Sequence, residues 1–143
     1  MVAGEIAAVI AGGGMKPEMR AEKVLECARL ARKQAALREY PGVGEPLADR
    51  ILLFGGSKVT LAPDSNALRV LLRLGYGEES KNYAASYRSA LAATNGELRD
   101  AAFARRAHLL LRRHGQELCK RSAPRCEVCP LREGCAWYGV ASR

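Results

Sequence analysis

Cys119-Lys120-Arg121-Ser122-Ala123-Pro124-Arg125-Cys126-Glu127-Val128-Cys129-Pro130-Leu131-Arg132-Glu133-Gly134-Cys135 decides how the rest of the chain is read. Its cysteines are spaced C-x6-C-x2-C-x5-C. Four thiols in so short a stretch, with few residues that would build a helix or strand, point to a metal centre. Thiolates are soft ligands suited to zinc or to an iron–sulfur cluster. Zinc ribbons pair two short knuckles. Here there is one, Cys126 to Cys129, and the outer cysteines stand further off. The chemistry leaves both metals open and leans towards the wider cubane. A fifth cysteine, Cys27, lies apart on the apolar side of a predicted helix and reads as a buried structural thiol.

Upstream of the cysteines the pattern is helical throughout. A long helix is expected from Leu98 to His114, closed by Gly115. Before it, Ser80 to Ala92 is amphipathic on Tyr83, Tyr87, Ala90 and Leu91, and Asn95-Gly96 is a stop signal. Asp64 opens a helix that carries Leu68, Leu71 and Leu72 and ends at Leu74-Gly75. Pro46 fits the first turn of another, with Leu47, Ile51 and Phe54 as its apolar stripe. Pro17 opens a helix reaching about Leu37, and Glu5 to Ala11 forms a short one, stopped by Gly12-Gly13-Gly14. Val59 to Ala62 is a brief extended link. No strand ladder and no repeat is visible, so the fold class is all-α.

Between two of these helices stands Tyr40-Pro41-Gly42-Val43-Gly44, with the physics of a helix-hairpin-helix. Two glycines permit close backbone approach to a phosphate and a positive φ. The following helix offers amides and a positive dipole end to an anion. Val43 is expected to plug into the core. Asp64, by its position alone, is an N-cap.

The cysteine spacing, together with His114-Gly115, Pro124-Arg125 and Cys129-Pro130-Leu131, resembles the cluster loop of endonuclease III-type DNA glycosylases. The hairpin agrees with it. The resemblance covers nearly the whole chain but only the later part of the family's pattern. It implies a partial HhH-GPD architecture: a helical part over 1–63 with the hairpin at about 35–55, a helical part of the cluster lobe over 64–118, a cluster loop over 119–135 and a tail over 136–143. It implies a [4Fe–4S] cluster on Cys119, Cys126, Cys129 and Cys135. Gly42, Val43 and Gly44 would hold DNA backbone, with Lys120, Arg121 and Arg125 as further phosphate contacts.

In that family an aspartate some twenty residues past the hairpin, followed by a similar Arg-Val pair, is the catalytic carboxylate. Asp64 stands there, before Arg69-Val70. The implied activity is cleavage of the N-glycosidic bond of a damaged or mismatched base in base-excision repair. Three departures matter. Bifunctional members carry a lysine two residues after the second hairpin glycine, where this chain has Pro46, so AP-lyase chemistry is not expected. The family's opening helices, with their wedge glutamine, find no counterpart here. The segment between Cys27 and the hairpin is short. A non-catalytic or truncated iron–sulfur DNA-binding module is the alternative.

Composition fits a polyanionic partner. Over 143 residues, 23 Lys and Arg face 15 Asp and Glu, a net charge of +8. Double-stranded DNA is the expected partner. No secretory leader and no membrane-spanning run is visible, so a cytoplasmic, nucleoid-associated monomer is expected. In a reducing compartment the clustered cysteines read as ligands before disulfides.

Overall fold

The computed structural model describes residues 3–13, 16–32 and 36–141, and among these it is all helical, with no strand. In chain order the helices are α1 Ala3–Ile10, α2 Pro17–Arg32, α3 Glu45–Phe54, α4 Ser65–Leu74, α5 Tyr83–Thr94, α6 Ala101–Glu117 and α7 Ala136–Ala141. Short 3-10 turns stand at Ala11–Gly13, Leu37–Glu39, Asn95–Glu97, Cys126–Val128 and Arg132–Gly134. The expected continuation of α2 to Leu37 runs through residues 33–35, which lie outside the described residues, as do Gly14 of the glycine stop and residues 142–143 of the tail.

The chain forms two compact units, residues 1–48 and 49–143. In the first, α1 and α2 bury Ile6, Ala7 and Ala21, with Ala3, Ile10 and Leu25 packed around them. Cys27 on α2 is half-buried, not sunk in a core as expected. In the second, Leu61, Leu68, Leu71, Tyr87 and Ala90 form the main core, flanked by Ala107 and Leu111 of α6. Leu53, Ala62 and Ala104 form a smaller cluster.

Caps begin three of the helices. Asp64, Asn82 and Asp100 each take non-helical dihedrals and accept from amides of the first turn, as short polar side chains at N-caps do. Gly75 ends α4 at φ 94°, its amide bonding back to Leu71 and Leu72. Ser80 was expected inside α5. Instead it stays outside, its amide donating to Ser86 Oγ (2.8 Å), because Asn82 is the cap.

Two expectations are corrected by packing. Leu47, Ile51 and Phe54 are not the core face of α3; they are 38%, 42% and 46% exposed. α3 turns Ala48, Asp49 and Leu53 inwards instead. Asp49 can be buried because Tyr87 donates its hydroxyl to Oδ2 (2.9 Å) and Lys58 donates to Oδ1 (2.7 Å). A hydrophobicity pattern cannot show such a satisfied acid.

Gly115 does not close α6, which continues to Glu117. A Cβ at Gly115 would lie 2.6 Å from Asn66 O and 2.9 Å from Asn66 C, both backbone atoms of α4. The residue is glycine because two helix backbones meet there. Gly115→Ala is therefore expected to cost about 1–3 kcal/mol, as overpacking does, read as a lowered midpoint in chemical denaturation. An Ala change at Gly96, whose Cβ meets nothing within 4 Å, serves as the control.

Candidate functional site

The cysteine loop grows out of the end of α6. The amides of Leu118 and Cys119 both donate to His114 O (2.9 Å each), and Arg125 N donates to Leu118 O (2.9 Å), which closes the 118–125 loop on itself. Tight turns follow, Cys129 N to Cys126 O and Cys135 N to Arg132 O, each 3.2 Å. The result is that Cys119, Cys126, Cys129 and Cys135 all line one cavity, beside Arg73 and Trp137. None is in a disulfide. Among the described residues no group of three or more His, Cys, Asp or Glu gathers as a single ion requires.

The surroundings suit a thiolate set. Arg73 Nη1 lies 3.4 Å from Cys119 Sγ, and His114 Nε2 lies 3.6 Å from Cys129 Sγ. The Cys135 thiol points at Arg73 O, 3.4 Å away. Burial pushes the Cys126 thiol up from its ordinary value, and the repulsion of Cys119, Cys129, Cys135 and then Glu127 adds to it. Four thiolates repel one another in this space until positive charge joins them, which is the chemistry that a cationic metal group supplies. Four thiols lining one cavity are a donor set of the kind that an iron–sulfur group uses.

Asp64 is the N-cap of α4. Its Oδ1 accepts from Asn66 N (3.1 Å) and Ala67 N (2.8 Å). Its Oδ2 faces Arg112 Nε at 3.3 Å, and its side chain is 15% exposed. The approach to it is strained: Ala62, fully buried, sits at φ 47°. His108, also buried, holds that residue in place, with Nδ1 2.9 Å from Ala62 O. A carbonyl only accepts, so Nδ1 carries the proton. Burial lowers the His108 pKa, the Ala62 bond partly opposing it, which favours the neutral ring. His108, Arg112 and Gly115 share one face of α6, at i, i+4 and i+7, and all three address the 62–66 segment.

Lys120, Arg121 and Arg125 are exposed. Lys120 and Arg121 border one open depression with Ser65, Asn66 and Arg69, so the start of α4 and the basic loop share a surface. Arg125 lines the cysteine cavity instead. In the other unit, the hairpin turns on Gly42 at φ 82° and on Val43 N donating to Tyr40 O (3.0 Å). Gly44 has no positive φ, and a Cβ there would make ordinary contact with Pro46 Cδ at 3.8 Å. Gly42 and Gly44 are exposed, while Val43 is only half-buried, short of the expected core plug.

Sequence reasoning noted Arg69 only as half of the Arg69-Val70 pair and passed over Arg73, His108 and Arg112. Arg69 donates to Cys119 O (2.8 Å), Gly115 O (2.7 Å) and Asn66 Oδ1 (3.0 Å), binding the cysteine loop, α6 and α4 together. The one signal that pointed to them was spacing: Arg69 and Arg73 stand four apart on a helix that begins at the candidate aspartate.

Among the described residues the chain is all helical, with a glycine turn at Gly42, an aspartate-capped α4 and four cysteines lining one cavity. No family profile matches the chain. It is 32% identical over 102 residues to the endonuclease III of Rickettsia prowazekii (strain Madrid E), a match covering 71% of this chain and 45% of that protein. Against the endonuclease III of Treponema pallidum (strain Nichols) it is 34% identical over 100 residues, covering 70% and 44%. The chain spans less than half the length of the curated relatives it matches. Over the matched stretch the chain is endonuclease III-like in sequence.

Proposed function

We propose that this chain serves base-excision repair as a DNA N-glycosylase of the endonuclease III type, hydrolytic and without AP-lyase activity. The observation that carries this is Asp64. One carboxylate oxygen is fixed by two backbone amides, and the other faces the half-exposed Arg112, next to the start of α4 that Lys120, Arg121 and Arg69 border. Oδ2 is the oxygen left for chemistry. In the reaction, the bond from the anomeric carbon to the base breaks, and the base leaves with the bonding pair and takes up a proton. Oδ2 stabilises the positive sugar and accepts a proton from the water that adds to it. Cys119, Cys126, Cys129 and Cys135 would hold a [4Fe–4S] cluster, whose contribution is to cross-link the loop and hold its cations in place.

DNA is the proposed partner, bound as a duplex, by a monomer inside the cell. Among the described residues no helix is long and apolar enough to cross a membrane. Contacts through the hairpin and the basic loop are to phosphate, so log affinity should fall linearly with log salt concentration. Gly42→Val should weaken binding of an undamaged duplex most, since the backbone there takes a φ that valine resists. Gly44→Val should weaken it by bulk alone. Fluorescence anisotropy with a labelled duplex checks both, and unchanged affinity in both would remove the hairpin from the interface.

Pro46 has no nucleophile, and the amine of Lys58, the next lysine along the sequence, is engaged in an ion pair with buried Asp49. Borohydride trapping on abasic DNA is therefore expected to give no covalent adduct. An adduct that persists in Lys58→Ala would mean that another amine attacks the sugar.

One observation favours a second reading. Arg112 pairs with the very oxygen that the chemistry needs. A carboxylate permanently neutralised there would make the chain a non-catalytic iron–sulfur DNA-binding module. Single-turnover base release on a panel of damaged and mismatched duplexes separates the two.

A further inference from the structure

We propose that Arg73 is the positioning residue of the cysteine centre, clamping the first ligand Cys119 to α4 and, through an N–H···S bond, setting the reduction potential and lifetime of the cluster. This rests on the reading of the cysteines as cluster ligands. Arg73 has no role in the mechanism above, and its place is specific. Nη1 donates to Lys120 O (2.8 Å) and stands 3.4 Å from Cys119 Sγ, while Nη2 donates to Arg121 O (3.3 Å). The guanidinium also lies over Trp137, 4.5 Å from the ring centroid. Its backbone carbonyl faces the Cys135 thiol. One residue of α4 therefore touches the first and last cysteines, two carbonyls of the loop between the first two, and the aromatic ring beyond the last.

Arginine is the side chain that can do this. Its planar fork presents several donors at fixed angles and is always charged, whereas an ammonium is a single point. An N–H donor and a positive charge at a ligand sulfur favour the more negative, reduced cluster, and so raise its potential. Holding the Lys120 and Arg121 carbonyls keeps Cys119 in place when iron is exposed to oxidant or chelator.

The chain supplies its own reporter. Trp137 is the sole tryptophan and lines the same cavity. A cluster there absorbs where tryptophan emits and quenches it, so Trp137 emission rises as the cluster is lost.

The test compares the full chain with Arg73→Gln and Arg73→Lys, each purified anaerobically. Iron content, reduction potential by protein-film voltammetry, and the rate of emission rise and visible bleaching under chelator and ferricyanide are measured. Arg73→Gln is expected to lose the cluster about 10–100-fold faster, the usual effect of removing a group that supports a metal ligand, and to shift the potential to more negative values. Arg73→Lys, which keeps the charge, should recover most of the potential but not the lifetime. A purely structural role would change the lifetime and leave the potential untouched, which would overturn the N–H···S part. Wild-type potential and lifetime in both variants would overturn the whole. Should Arg73→Gln take up no iron, Arg73→Lys decides: faster loss supports the clamp, and an unchanged rate overturns it. Wild-type chain without iron sinks the cluster reading itself, and the proposal with it.

Discussion

Cys129→Ser protein purified without oxygen is expected to be colourless and to hold no iron, where the parent chain is expected to be yellow-brown with about four irons per chain. The effect should be complete, because a cubane short of one thiolate loses the ligand that closes the knuckle from Cys126 to Cys129. Consequences for the fold follow. Few regular hydrogen bonds hold 119–135: it has two short 3-10 turns and the arginine contacts from α4. In such a segment the free energy of metal binding is folding free energy. Loss of iron should therefore be followed by proteolysis within 119–141, while α4, α5 and α6, which share their own core, stay protected. Colourless parent protein with stoichiometric zinc would overturn the assignment of the metal.

Asp64→Asn is expected to reduce base release by about 10²–10⁴-fold, the usual contribution of one positioned acid–base group, and to leave stability nearly unchanged. The two halves of that expectation separate the roles of the side chain. Asparagine caps a helix about as well as aspartate, so the bonds to Asn66 and Ala67 survive through its amide oxygen. What is lost is the charge on the other oxygen, the one facing Arg112. Single-turnover assays should use both this chain and the longest protein the reading frame encodes. Full activity in Asp64→Asn would leave Asp64 as a helix cap only. Arg112→Gln in the same assay tells whether that guanidinium restrains the carboxylate.

The parts that were legible in the sequence are those whose signal is local. Cysteine spacing, the Pro41-Gly42-Val43-Gly44 turn and Asp64 before an apolar run each carry their meaning within a few residues, and the helices they imply are present. Gly115 was misread because glycine after a helix usually ends it. Here the reason lies 49 positions away, at the backbone of Asn66. The α3 stripe was misread because Asp49 looks like surface until Tyr87 and Lys58 are set beside it. Arg69 was legible only as half of a pair with Val70, and Arg73 and Arg112 carried no local signal. Their partners are 46 to 50 residues away or on another helix, and no periodicity encodes them.

Arg69 also sets an order of events. Its three hydrogen bonds reach the carbonyl of Cys119, the carbonyl of Gly115 and the side chain of Asn66. While those bonds stand, the Cys119 end of the loop stays tied to α4 and α6, and only there is loosening coupled to opening of the helix pair. Should these thiols hold a cluster, Cys119 would be the ligand that stays with the body when the rest of the loop is lost, and the point from which the site is rebuilt.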